Sequence, residues 1–481
     1  MIFKRFYDDN LAQASYLIAC ERTREAIVVD PNADIGVYTR AAGADRLRIT
    51  GVTETHIHAD FLSGTRELAE AAGARMHLSG EGGEFGYAPG ALKRANALRD
   101  GARIDVGDVR VTVSHTPGHT PEHLTFLVSD LARGEESIGA LTGDFIFVGD
   151  VGRPDLLEKT VGVSGTMQDS ARQLFRSIAR FAKMPDHLQL WPGHGAGSAC
   201  GKSLGAMPQS TLGYEKLFNW AFAEMPEDKF VDKVLENQPV PPRYFARMKR
   251  LNRTMDRHGK NPECTRLSFV ELETAITQGD PIVDTRSAEK FAAGHIPGTL
   301  NIPLGKSFLN WLGALVDADR QLYLIAESES DESIEAVLDD LCKIGMINVA
   351  GYFGSDVVQD WRSRRGAIEK VKRVDVAGLQ ASNGKNAQII DVRSPDEWSH
   401  GHIPDARHIP LASLPDRIAE IDASRPVILQ CRGGGRSAIA TSLLLSRGIS
   451  NVSNLIGGYD AWAAQRLPTE TPSQPNESKR R

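Results

Sequence analysis

Thr55-His56-Ile57-His58-Ala59-Asp60-Phe61 is the stretch on which the reading of this chain turns. Alternate side chains of an extended segment point the same way, so His56, His58 and Asp60 face one side. Three metal-capable groups thus share a surface. Further along, Thr116-Pro117-Gly118-His119 sets a histidine on a Pro-Gly turn, Thr142-Gly143-Asp144 closes an apolar strand, and Pro192-Gly193-His194 forms another turn. One histidine at a strand end is more often a structural hydrogen-bonding residue. Four such fragments in this order predict a metal site.

The rest of the chain bounds what such a site can serve. At 481 residues it is about three times a typical domain of roughly 150 residues, so several cores are expected. Charged residues make up 25% and hydrophobic ones 41%, which suits globular domains and excludes a solvated polymer. With 56 Lys and Arg against 62 Asp and Glu, the net charge of -6 gives no field for phosphate backbones. Neither a nucleic-acid partner nor a membrane partner is expected. The N-terminus lacks an apolar signal block and no run is long enough to span a bilayer. Five widely spaced cysteines, Cys20, Cys200, Cys264, Cys342 and Cys431, do not form a disulfide framework and point to a reducing cytoplasm.

Domain organisation is carried by a break and a repeat. Residues 236–265 are polar and Pro-containing and read as a linker, part of it helical. Beyond them Asp284-Thr-Arg-Ser recurs as Asp391-Val-Arg-Ser, and Gly294-His-Ile-Pro as Gly401-His-Ile-Pro, at one constant spacing. Two copies of a small α/β domain with a parallel sheet are predicted, at 266–365 and 372–470, after a first domain at 1–235. The polar tail 471–481 is expected to be mobile.

The order of the metal motifs resembles the metallo-β-lactamase fold, a four-layer αββα sandwich. Thioester hydrolases of that fold, such as glyoxalase II, carry His-x-His-x-Asp-His and two metals, whereas this chain has Phe61 in the last place. Phe has no ligand atom, so one metal is expected. The closer resemblance is to the persulfide dioxygenase branch, which implies one Fe(II) per chain held by His56, His119 and Asp144, with an open face for O2 and substrate. His58, Asp60 and His194 are then outer residues that orient ligands or hold water. Within Gly149-Asp-Val-Gly-Arg153-Pro-Asp155, Arg153 could grip an anionic thiol substrate, or form an ion pair with Asp150 or Asp155. Cys200 sits in the Gly-rich loop after His194, where Lys202 could favour its thiolate, and is a candidate to present a persulfide to the metal.

Residues 372–470 resemble a rhodanese, a sulfurtransferase domain that carries sulfane sulfur on a cysteine. The strand Val427-Ile-Leu-Gln430 runs into Cys431-Arg432-Gly433-Gly434-Gly435-Arg436-Ser437 and then a helix. The glycines let backbone N–H groups turn toward one point, which lowers the thiol pKa and stabilises an anionic persulfide. Arg432 and Arg436 are candidate anion contacts. A phosphatase loop has one more residue between its Cys and Arg, so sulfur transfer ranks above dephosphorylation. The first copy has Glu327 and Glu329 where the cysteine loop should be, and reads as a silent rhodanese.

Together these resemblances imply oxidation of a small-thiol persulfide (glutathione, coenzyme A or similar) with O2 to sulfite, coupled to formation or use of thiosulfate. A tethered partner domain is held at roughly millimolar effective concentration, which favours such a fusion. A homo-oligomer is expected. The alternatives are a glyoxalase II-like hydrolase with a rhodanese appendage and a non-enzymatic sulfide sensor.

Overall fold

The structure is a computed structural model that describes residues 1–162, 165–198, 200–201, 204–257, 264–327, 330–381 and 386–471. It divides into two compact units, 1–260 with 339–346, and 261–338 with 347–481. The tail from 472 onward, Lys202 and Glu329 lie outside the described residues.

The first unit contains two six-stranded sheets. One is mixed and begins with the hairpin Ile2–Asp8 and Gln13–Ala19, followed by Glu25–Val29, Arg48–Thr53, Arg75–Ser79 and Asn96–Leu98. The other runs in space from Ser210–Thr211 through Gln189–Pro192, Ser137–Gly143, Leu124–Asp130 and Val109–His115 to Arg103–Val106. Period-two alternation explains the layering. Ala14, Tyr16 and Ile18 pack with Val111, Val113, Phe126 and Val128 of the opposite sheet, while Leu17 and Ala19 point outward with Tyr38 and Leu68 of flanking helices. On the far side, Leu174, Ile178 and Phe181 of the helix Thr166–Phe181 cover Ala140 and Leu190. This is the expected αββα sandwich, and its metal motifs sit on the loops at strand ends.

The second unit holds a four-stranded and a five-stranded sheet, all of whose strand pairs are parallel. The repeated motifs are structural. Arg286 pairs with Asp284 at 2.6 Å and donates to Gly294 O, and Arg393 pairs with Asp391 at 2.8 Å and donates to Gly401 O. His295 and His402 both bond a carbonyl four residues back. The shared words of the repeat therefore hold each copy's fold.

The stretch 236–265 departs from the linker reading. It contains the helix Tyr244–Thr254, which buries Tyr244, Phe245, Met248, Lys249 and Asn252 within the first unit. The apolar stripe is short and set among Arg243, Arg247, Arg250 and Arg253, which disguises it. Asn252 explains the packing: its Nδ2 donates to the carbonyls of His58 and Phe61, and its Oδ1 accepts from Ser63 N. The helix thereby fastens the histidine loop.

Candidate metal centre and cysteine loop

The strand Arg48–Thr53 delivers Glu54 to Phe61 into a buried loop anchored by Asp30, at the end of the strand Glu25–Val29. Asp30 accepts from Thr55 N at 2.6 Å and from Thr55 Oγ1 at 3.0 Å. The Thr55 hydroxyl has one proton and spends it on Asp30. Its oxygen, 2.9 Å from His56 Nδ1, must then accept from that ring. His56 Nε2 is consequently left with a bare lone pair. His119 reaches the same state differently, since its Nδ1 donates to the Arg153 carbonyl at 2.9 Å.

Both bare nitrogens face Asp144. His119 Nε2 lies 3.5 Å and His56 Nε2 3.9 Å from Asp144 Oδ2, and all three residues are buried. Their ligand atoms lie within 4.8 Å of one another. Neither Asp144 oxygen has a hydrogen-bond partner among the described residues. Burial pushes the His119 pKa down to about 3 and that of His56 well below its ordinary value, and it pushes Asp144 up. Two neutral imidazoles and a carboxylate without hydrogen bonds among the described residues, aimed at one buried point, form a donor set that fits a divalent metal.

The supports are backbone-deep. His123 Nε2 accepts from Asp144 N at 3.2 Å, so it holds the ligand's main chain and is not itself a ligand. Two glycines permit this crowding. A Cβ on Gly143 would lie 2.5 Å from Thr55 Oγ1, and one on Gly152 would lie 1.8 Å from Asp144 O. His58 stands apart from the ligand trio, with its Nε2 3.0 Å from Asp30 Oδ1. Burial lowers the His58 pKa, but the carboxylates of Asp30, Glu54 and Asp60 outweigh it and raise the group to about 9. Phe61 is fully buried and packs its ring on His58 at 4.3 Å.

Asp60, His194 and Cys200 form a second donor group. His194 donates through Nδ1 to Ala12 O at 3.0 Å, and its Nε2 lies 3.1 Å from Asp60 Oδ2 and 3.4 Å from Asp144 Oδ1. Burial disfavours charge on His194, yet these two carboxylates hold it in the charged form. Cys200 departs from the expectation that its thiolate is favoured. It is 1% exposed, and burial, reinforced by Asp60 and Asp144, pushes its thiol up to about 12. The charged His194 ring beside it opposes that shift without cancelling it, and Cys200 stays protonated.

Of the two roles expected of Arg153, the structure shows the ion pair with Asp155. Arg153 is fully buried, and its fork bonds both Asp155 oxygens, at 2.8 and 2.9 Å, and the Pro239 carbonyl. The guanidinium is spent within the domain, and the residue serves the site through the carbonyl that orients His119.

In the second copy, Cys431 follows the strand Val427–Gln430 and is buried. Gly434 N donates to its Sγ at 3.1 Å and Ser437 Oγ at 3.4 Å. Gly434 adopts φ 100°, which turns its N–H inward as the helix Gly435–Ser446 begins. Arg436 is not aimed at the sulfur: it makes a two-pronged pair with Glu397, at 2.6 Å for each prong. Arg432 is exposed and lies 3.3 Å from Asp460. The donors at the sulfur are thus a glycine amide and Ser437, a residue the sequence reading quoted without giving it a role. In the first copy, Glu327 follows the strand Leu322–Ala326 and pairs with Lys290. The motif repeat sets Lys290 opposite Glu397, so this position carries an ion-paired charge in both copies, with opposite sign.

Comparison with known proteins yields a metallo-beta-lactamase superfamily match over residues 8–194 and rhodanese-like domain matches over 268–354 and 377–465. A solved metallo-beta-lactamase from Staphylococcus aureus subsp. aureus COL is 41% identical, covers 73% of this chain and 98% of its own, and superposes with a TM-score of 0.66. A sulfurtransferase of Allochromatium vinosum is 36% identical over 104 residues, which are 21% of this chain and 97% of the relative. The thiosulfate sulfurtransferase GlpE of Stutzerimonas stutzeri is 37% identical over 91 residues, 19% of this chain and 84% of the relative. Among the described residues no helix is long and apolar enough to cross a membrane.

Proposed function

Because the chain belongs to the metallo-beta-lactamase superfamily and carries two rhodanese-like domains, we propose that it is an iron persulfide dioxygenase joined to a sulfurtransferase. The observation that carries this reading is the convergence of His56 Nε2, His119 Nε2 and the Asp144 carboxylate on one buried point. Two imidazoles and one carboxylate are the ligand set of Fe(II) oxygenases, which leaves coordination positions for O2 and substrate. Ferrous iron bound there supplies the one-electron chemistry by which O2 attacks a sulfur compound.

The chain's own residues do the rest. Thr55 and the Arg153 carbonyl fix which ring nitrogen each histidine presents, and His123 fixes Asp144. Buried Phe61 and Phe147 set apolar rings beside His58 and His194. The overall reaction balances as R–S–SH, O2 and water giving R–SH, sulfite and two protons: the outer sulfur loses four electrons and O2 gains four. Cys431 then carries sulfane sulfur, with the Gly434 amide and Ser437 hydroxyl placed to hold a negative outer sulfur. Sulfite attack on that sulfur breaks the S–S bond, releases thiosulfate and leaves the Cys431 thiolate, and the reverse reaction loads the cysteine from thiosulfate. The GlpE relative favours thiosulfate as the compound made or used.

A two-metal thioester hydrolase is the second reading, favoured by the extra donor group of Asp60, His194 and Cys200. Product analysis separates the two. One defined glutathione persulfide, supplied to iron-loaded protein in an oxygen electrode, is expected to give sulfite in step with O2 uptake. Thioester cleavage without O2 uptake overturns the dioxygenase.

A further inference from the structure

The helix Tyr244–Thr254 carries one group that the metal chemistry leaves unused. Lys249 is 4% exposed, and its Nζ has no hydrogen-bond partner among the described residues. Glu122 is the acid whose charge reaches it, but Glu122 spends one oxygen on Ile57 N, and its other oxygen is likewise unpartnered. The ammonium also bears electrostatically on His119. A buried cation without a bonded counter-ion is costly unless an anion joins it.

Lys249 also lines a cavity of about 440 Å³, walled by Phe85, Leu157 and Thr160 on one side and Ala246 and Arg250 on the other. That volume falls in the range of small-molecule sites, roughly 300 to 1,000 Å³. Its apolar walls suit an aliphatic thiol, and its charge suits an acid. Arg250 and Arg253 accompany Lys249, against Glu84 as the single lining carboxylate. Arg253 is occupied in tying down the carbonyls of Glu84 and Gly86, whereas Arg250 is exposed.

We propose that this cavity binds the small-thiol carrier by its acidic end, with Lys249 and Arg250 holding a carboxylate or phosphate. The site deepens the dioxygenase reading, on which it rests for the sulfur group at the carrier's other end. The flexible four-carbon stem of lysine lets the ammonium turn from Glu122 to an arriving anion.

The test is anaerobic isothermal titration of the full-length, metal-loaded protein with glutathione, coenzyme A and cysteamine. None of these needs O2 or turnover, so failure here is separable from failure of the oxygenase reading. Glutathione is expected to bind at least tenfold more tightly than cysteamine, which has no acid. Lys249→Met is expected to weaken glutathione tenfold or more while leaving cysteamine unchanged, and Lys249→Arg to restore part of the loss. Coenzyme A binding more tightly than glutathione would support the anion site and identify phosphate as the group held. Ala246→Trp, which fills the cavity from an exposed position, is expected to block glutathione even if Lys249→Met fails to fold. Equal binding of glutathione and cysteamine, or equal weakening of both by Lys249→Met, would overturn the proposal.

Discussion

The metal centre and the cysteine loop are both buried, yet they are built from opposite hydrogen-bonding partners. Where His56, His119 and Asp144 converge, the two Nε2 atoms and Asp144 Oδ2 are acceptors, with the proton of each of these two histidines locked away on the far side of its ring. Around Cys431 the groups directed at the sulfur are donors, a backbone amide and a hydroxyl. A cluster of bare acceptors calls for a cation, and a cluster of donors calls for an anion. The sign of each missing partner can therefore be read from proton positions before any chemistry is named.

The largest effects should come from removing one member of each set. Asp144→Asn turns an acceptor toward amide, and it is expected to lose more iron affinity than the roughly 100-fold that an outer residue costs, with sulfur transfer spared. Metal analysis together with thiosulfate:cyanide transfer assays checks both halves. Cys431→Ser is the mirror experiment: thiocyanate formation should fall to background while O2 uptake persists. Loss of both activities in either variant would mean that the two sites do not work separately.

A smaller effect is expected one bond further out. Thr55→Val removes the oxygen that receives the His56 proton, and iron affinity should fall roughly 10- to 100-fold with the fold intact. Competition with a chelator measures it, and unchanged affinity would sever the Asp30–Thr55–His56 chain. On the donor side, Ser437→Ala deletes one of two hydrogen bonds to the sulfur. Loss of a hydrogen bond to a charged group is worth about 1.5–3 kcal/mol, so transfer should slow roughly 10- to 150-fold.

The smallest effect concerns acid stability. Burial opposes charge on Glu397, but its bonds to Arg436 and Ser394 hold its pKa near 2, below the ordinary 4.5. A depressed carboxylate stabilises the fold above about 4.5, and that contribution fades as the pH falls toward 2. Arg436→Gln should therefore lower the melting temperature at pH 7 and reduce its fall between pH 5 and 3, as followed by circular dichroism. An identical acid limb in both proteins would remove the pair from the loop's support.

Much of this was legible in the sequence because strand-end motifs report their own geometry. The αββα sandwich, the two parallel-sheet copies, the convergence of His56, His119 and Asp144 and the cysteine loop are all readable from local words and their order. Asp30 was missed, although it closes the apolar run Ala26-Ile-Val-Val-Asp30, where an acid after a strand is a usable signal. Arg153 is read from the sequence as either an anion contact or half of an ion pair with Asp150 or Asp155, and Arg436 as an anion contact. Their partners are Asp155, two residues away, and Glu397, which lies on another element. Pairing across elements is a tertiary fact that composition does not carry. A helix within 236–265 is legible in the sequence, but the packing of Tyr244–Thr254 is not, since its few apolar positions matter only once there is a loop for Asn252 to fasten.

Anomalous diffraction from crystals of the anaerobically purified protein, collected on both sides of the iron and zinc edges, tests the central claim most directly. One iron peak bonded to His56 Nε2, His119 Nε2 and Asp144 is the predicted result. Two zinc peaks, the second among Asp60, His194 and Cys200, would contradict it.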